Sequence, residues 1–173
     1  KYPPGDFRSS ECISLLKEAD LVVTNPPFSL FREYLYLTLK YRKKFILVFN
    51  QNAIGYKEVF PFFMKRKIWI GATKRGGYFS FYINPKYKLE TKNFFSQNGK
   101  TVVKFGNICW VTNMHHTFVP PFPDISKKYY SPEKYLKYDN YDAINVDKIS
   151  DIPCDYDGVM GVPLTFMMKW SYG

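Results

Sequence analysis

The chain has 173 residues, a fifth of them aromatic with 16 Phe and 15 Tyr, which excludes long disordered stretches and suits one globular domain with a sizeable core. No run approaches the roughly 18 apolar residues that a membrane span needs, and nothing at the start resembles a signal peptide. The net charge of +10 is uneven: residues 1–64 carry nine basic and six acidic side chains, residues 65–105 carry ten basic against Glu90 alone, and residues 106–173 carry six basic and eight acidic.

In chain order, Gly5-Asp6 reads as a turn, and Ser10 to Lys17 as a short helix capped by Ser9 or Ser10. Leu21-Val22-Val23-Thr24 is a short apolar, β-branched run closed by Asn25-Pro26-Pro27-Phe28, the pattern of a buried strand ending in a rigid loop. The two prolines fix φ at their own positions and bias the residue before each towards extended geometry, so this loop cannot become helix. Ser29 to Lys43 predicts a helix with Ser29 as cap, Glu33 in the first turn, Arg42, Lys43 and Lys44 at the end, and Phe31, Leu35 and Leu39 as its buried stripe. Phe45 to Phe49 is a continuous apolar run, the signature of a central parallel strand, so strand, helix and strand form a βαβ unit. Asn50-Gln51-Asn52 follows at the carboxyl end of that strand and either lines a site beside the Asn25 loop or caps the next helix.

Farther on, Tyr56 to Lys65 predicts a short helix interrupted or started near Pro61, and Ile68 to Ile70 a short strand. Tyr78 to Ile83 and Thr101 to Phe105 read as strands separated by a Lys-rich loop ending in Asn98-Gly99, with Ile108 to Thr112 as another apolar strand. Pro120, Pro121 and Pro123 make a rigid connector, and the Tyr-rich stretch from Tyr129 to Tyr141 reads as surface loop. These elements place the chain in the α/β class: residues 1–112 as one domain with a basic hairpin or loop insertion at about 72–105, and residues 113–173 as an irregular extension packed on it.

The Asn25 loop carries the chemistry. At the carboxyl end of a strand, where open α/β sheets bind ligands, it presents an amide, a free carbonyl and a ring. The amide oxygen of Asn25 and the carbonyl of Pro26 can each accept a hydrogen bond from one exocyclic amino group, orienting its lone pair and stabilising positive charge that develops on nitrogen. Phe28 can stack on the base that bears the amine, a base that must leave the duplex to be reached. The plain alternative is a Pro-Pro turn with an Asn cap and a buried Phe. The basic stretch interleaves cations with rings, which suits phosphates and bases together; Lys74, Arg75, Tyr78, Lys86, Lys88 and Lys92 are its candidate nucleic-acid contacts, against the alternative of a solvated hairpin. Adjacent His115 and His116 read as a loop pair rather than metal ligands, and Cys12, Cys109 and Cys154 as free thiols in a reducing cytoplasm. Asp155-Tyr156-Asp157-Gly158 lacks the spacing of a calcium loop.

The segment from Ala19 to Tyr34 resembles the catalytic segment of amino-group methyltransferases, and more narrowly that of the EcoRI-type adenine-specific DNA methyltransferase family. Further stretches carry the likeness: Gly5 to Arg8, Asn52 to Ile54 with Tyr56 to Glu58, Lys67 to Gly71, Gly106 to Trp110, Tyr138 to Ile144 and Asp155 to Pro163. It is weakest between Thr73 and Phe105. The resemblance implies S-adenosylmethionine as methyl donor and direct displacement by the N6 amine of a flipped adenine in duplex DNA. It assigns Asn25, Pro26, Pro27 and Phe28 to catalysis, and Asp6 and Phe7, with Asn25, to the cofactor. It also leaves room for a cognate restriction enzyme sharing the site. The rivals are methylation of guanine in RNA or of protein glutamine, and a non-catalytic DNA-binding fragment. No Gly-rich strand-to-helix turn precedes Asn25, so the expected fold is part of a Rossmann-like, mostly parallel methyltransferase sheet with an antiparallel hairpin. Its first cofactor-binding strands would lie upstream, in a longer polypeptide.

Overall fold

The computed structural model describes residues 2–72, 78–84, 86, 94–117, 124 and 128–169. The chain divides into two compact units, Lys1–Thr117 and Phe118–Gly173.

In the first unit, helix α1 (Ser10–Glu18) starts as its sequence dictates: the Ser9 hydroxyl accepts from the Cys12 amide at 3.2 Å, with Glu11 in the first turn and Lys17 in the last. Strand β1 (Leu21–Thr24) runs into the Asn-Pro-Pro loop, then a 3-10 turn (Phe28–Leu30), then α2 (Phe31–Lys40). This helix is shorter than its sequence pattern predicts, and Ser29 does not cap it; Leu30 occupies that position with no side-chain cap bond, because the chain enters through the 3-10 turn. Its buried stripe is Phe31, Leu35 and Thr38, with Leu39 only half-buried. At its far end Arg42 adopts φ 53°, the Lys43 amide reaches the Thr38 carbonyl and the Arg42 amide the Leu39 carbonyl, a left-handed stop built without glycine.

Strand β2 (Lys44–Asn50) is followed by a 3-10 stretch (Gln51–Gly55), α3 (Phe60–Met64) with Pro61 in its first turn, and β3 (Trp69–Ile70). The helix expected over 56–65 is thus reduced to its second half, where proline fits the first turn. Beyond lie β4 (Tyr78–Ile83), β5 (Phe94–Gln97), β6 (Lys100–Gly106) and β7 (Ile108–Thr112).

Four strands form one sheet in the order β1-β2-β7-β3. β1 pairs with β2 in parallel, Val23 beside Ile46, while β7 pairs antiparallel with both β2 and β3. The expectation of a mostly parallel sheet is corrected here: most strand pairs in the described residues are antiparallel. β7 follows β6 directly, with Asn107 at φ 59° between them, rather than through the helical crossover that a parallel neighbour needs.

One face of this sheet is core: Phe45, Leu47, Phe49, Cys109 and Val111 are buried, and Phe49 stacks between Phe31 of α2 at 5.4 Å and Phe63 of α3 at 6.4 Å. The other face is open. Leu21 is 44% exposed and Val23 59%, and Ile46, Val48 and Trp110 are half-buried. The Phe45 to Phe49 run therefore belongs to a strand buried on one side and half-buried on the other, where Phe79 of β4 meets Trp110 edge-on at 6.4 Å, although its apolar continuity reads as burial on both.

The hairpin region is a separate three-stranded antiparallel sheet, β4-β6-β5. Asn98 at φ 51° and Gly99 at φ 70° form the two-residue turn between β5 and β6. Mirror-image turns of this kind match the strand twist, and they favour Asn-Gly because both central residues need positive φ.

In the second unit, β8 (Lys137–Tyr138), β9 (Tyr141–Asn145) and β10 (Met160–Gly161) make a small sheet, followed by α4 (Phe166–Lys169). It has its own core of Tyr135, Ile144, Val146 and Ile152. The surface loop expected over Tyr129 to Tyr141 is corrected accordingly: it contributes a strand, and Tyr135 is buried with its hydroxyl on the Asp151 carbonyl at 2.8 Å. Pro120, Pro121 and Pro123 lie outside the described residues.

Candidate active site

The Asn25 loop leaves the carboxyl end of β1 with Pro26 buried and Asn25, Pro27 and Phe28 facing outward. Pro27 holds φ −57° and ψ 123°, and its carbonyl accepts from the Leu30 amide at 2.9 Å. The extended geometry of the loop is thereby converted into the helical turn that follows. Among the described residues, no side-chain hydrogen bond engages the Asn25 amide. Phe28 is 41% exposed, so the buried-Phe alternative does not describe this loop.

Phe28 lines a cleft of about 270 Å³ together with Ser29, Phe31, Asn50, Asn52 and Tyr56. The strand pairing builds this cleft. β1 and β2 run parallel, so their carboxyl ends and the loops leaving them lie side by side. The capping reading of Asn50-Gln51-Asn52 holds at Asn50, whose side chain accepts from the Asn52 amide at 2.9 Å, and Asn50 and Asn52 line this cleft. Gln51 is tied elsewhere, its amide on the Asn107 carbonyl at 2.7 Å and its Nε2 on Asn107 Oδ1 at 2.6 Å. Tyr56 is a cleft residue that sequence reasoning missed as a site candidate. A ring six residues past a strand carries no local sign that a 3-10 stretch will fold it back beside Phe28.

On the other side of Ser29 lies a groove of about 460 Å³ that includes Phe7, Arg8, Arg32, Glu33 and Glu58. Phe7 packs on Tyr34 with ring centroids 5.0 Å apart. The Asp6 carboxylate is occupied by Arg8, which bonds it from Nη2 at 2.8 Å, from Nε at 3.0 Å and through its backbone amide at 2.8 Å. Arg8 also reaches Glu33 at 2.9 Å. The Arg8 side-chain and backbone hydrogen bonds lower the Asp6 pKa to about 2, and those to Asp6 and then Glu33 raise that of Arg8.

Of the candidate nucleic-acid residues, Lys74, Arg75, Lys88 and Lys92 lie outside the described residues. Tyr78 opens β4, and Lys86 is exposed with its amide on Asn84 Oδ1 at 3.0 Å. His115 packs on Trp69 at 4.8 Å and His116 Nε2 meets the Ile70 carbonyl at 2.9 Å. No cluster of three or more metal-ligating side chains occurs among the described residues, nor does any helix there have the length and hydropathy to cross a membrane.

Comparison with known proteins identifies the family of the chain. The model of the family described as "Adenine-specific methyltransferase EcoRI" matches residues 3–172, and the chain belongs to that family. It is 49% identical to the type II methyltransferase M.EcoRI of Escherichia coli over 173 residues, 96% of this chain and 52% of the relative. It is 44% identical to M.MgeORF184P of Mycoplasma genitalium and 39% identical to M.MpnI of Mycoplasma pneumoniae, each match covering 94% of this chain and 52% of the relative. The chain thus spans about half the length of the curated relatives it matches. No solved structure matches it.

Proposed function

We propose that this chain carries the amine-positioning part of a site-specific DNA adenine N6-methyltransferase. The observation that carries the proposal is the Asn25 loop itself: a proline-stiffened segment at the carboxyl end of β1, its amide exposed and its Phe28 ring facing a cleft beside Asn50, Asn52 and Tyr56. The family description names adenine, and the basic stretch from residue 65 to 105 suits a polyanionic substrate.

In this reading the Asn25 side-chain oxygen and the Pro26 carbonyl accept the two N–H groups of the adenine amine. That leaves the lone pair pointing away from the loop and stabilises the cation that forms on nitrogen. Pro27 keeps both acceptors in place before substrate arrives, and Phe28 stacks on the flipped base, with Tyr56 across the cleft. S-adenosylmethionine, when bound, supplies the electrophilic methyl group. Phe7 and Asn25 are the residues of this chain that would lie against it, because Phe7 borders an open groove and the Asn25 amide has no competing bond; Asp6 would first have to leave Arg8. No nucleophilic side chain is required, so none of the three free cysteines is assigned a role.

Strands β1, β2 and β3 run one way and β7 the other, which supports a place in the carboxyl-side part of a Rossmann-like sheet. Lys74, Arg75, Tyr78, Lys86, Lys88 and Lys92 are proposed DNA contacts, the cytoplasm the compartment, and a restriction enzyme reading the same site the partner. The test offers labelled methyl donor with duplex DNA, structured RNA and protein in parallel to the full-length protein. Label on N6 of adenine in duplex DNA is expected; label on RNA guanine or protein glutamine instead would overturn the proposal.

A further inference from the structure

The sheet β4-β6-β5 has two unlike faces. On one, Phe79, Phe81, Phe94 and Phe105 follow from the register, and no described residue there is charged. On the other, Tyr82 and Phe95 both stand opposite Val102, which is buried between them, and Lys100 and Lys104 flank it along the central strand. The pairing is diagonal: Lys100 Nζ lies 5.3 Å from the Tyr82 ring centroid and Lys104 Nζ 4.7 Å from that of Phe95.

Lysines often sit in small sheets to discourage edge-to-edge pairing, but that role belongs to edge strands. Here both lie on β6, whose two edges are already paired. Nor does burial account for the rings, since Tyr82 is 62% exposed. Four residues along a strand separate the Cα atoms of Lys100 and Lys104 by about 13 Å, and their side chains lean to rings on opposite flanking strands.

We infer that the Tyr82–Lys100–Lys104–Phe95 face is a docking surface for duplex DNA, holding the phosphate backbone without reading sequence. Each lysine meets a phosphate while the ring beneath it fixes the ammonium and covers the sugar edge. The inference rests on the proposed function for the identity of the nucleic acid, and deepens it by naming the face that orients the duplex.

The test measures duplex DNA binding by the full-length protein from low to moderate salt, for wild type, K100A/K104A and K17A/K40A. The control pair has the same cation-over-ring arrangement on Tyr41, at 5.5 and 5.9 Å, and removes the same charge. The expected result is that the slope of log K against log salt becomes shallower by about 2 for K100A/K104A, near 0.9 per lost phosphate contact, and stays at the wild-type value for K17A/K40A. An unchanged slope in K100A/K104A, or an equal loss in both pairs, would overturn the surface. Binding is read without methyl transfer, so the two readings fail separately. A protein that docks DNA through this face but methylates no adenine overturns the proposed function and keeps the surface.

Discussion

At the residue scale, the Asp6–Arg8–Glu33 cluster ties the segment before α1 to the first turn of α2. The Asp6 pKa is depressed from its ordinary 3.8 to about 2, so this contact is complete above the ordinary value and is lost as pH falls towards 2. A carboxyl-carbon NMR titration should place the Asp6 midpoint near 2 in wild type and return it towards the ordinary value in Arg8→Ala; a midpoint unmoved by that change would remove Arg8 as the cause. In the cleft, Tyr56→Ala should weaken capture of the flipped base by about 1–3 kcal/mol, the worth of one base-stacking ring. Fluorescence of 2-aminopurine placed at the target adenine reads this directly, since an unclamped base stays quenched in the stack. Sequence spacing reached Asn25 and Phe28 because prolines write backbone geometry into the chain. It could not reach Tyr56, whose position depends on a 3-10 stretch, nor foresee that Arg8 would take up Asp6.

At the element scale, α2 and α3 both end on an arginine in the left-handed region, Arg42 and Arg66, each at φ 53°. Around Arg66 the Lys67 amide reaches the Phe62 carbonyl at 2.8 Å and the Arg66 amide that of Phe63 at 3.0 Å, the same pattern as at Arg42. A side chain at such a φ is strained, so Arg42→Gly should raise stability by about 1 kcal/mol. Urea unfolding would show a higher midpoint at unchanged slope. In the core, Phe49→Ala removes the ring that joins α2 to α3 and should cost about 3–5 kcal/mol in the same assay. Helix and strand identities were readable from apolar spacing through β3. Strand direction was not: the Phe45 to Phe49 run looks alike whether its neighbour is parallel, as β1 is, or reversed, as β7 is. β5 escaped notice because the Lys-rich loop before Asn98-Gly99 masks a short strand that is exposed at every position.

At the scale of the whole molecule, charge and apolar surface are distributed unequally. The basic excess lies almost wholly in residues 65–105, the stretch that supplies β4, β5 and β6. The central sheet keeps one apolar face half-open at Leu21, Val23 and Trp110, beside the strand that delivers the Asn25 loop. The rigid loop and the cationic sheet divide the work in the proposed function: one positions an amine, the other holds a polyanion. That division predicts that chemistry and DNA affinity can be separated by a single substitution. The decisive comparison is transfer of labelled methyl to unmethylated duplex DNA by the full-length protein and by its Asn25→Ala form, with DNA affinity measured alongside. The account predicts label on adenine in wild type, a fall of at least about 100-fold in turnover on removing the amide, and nearly unchanged affinity. Wild-type turnover in Asn25→Ala would contradict it.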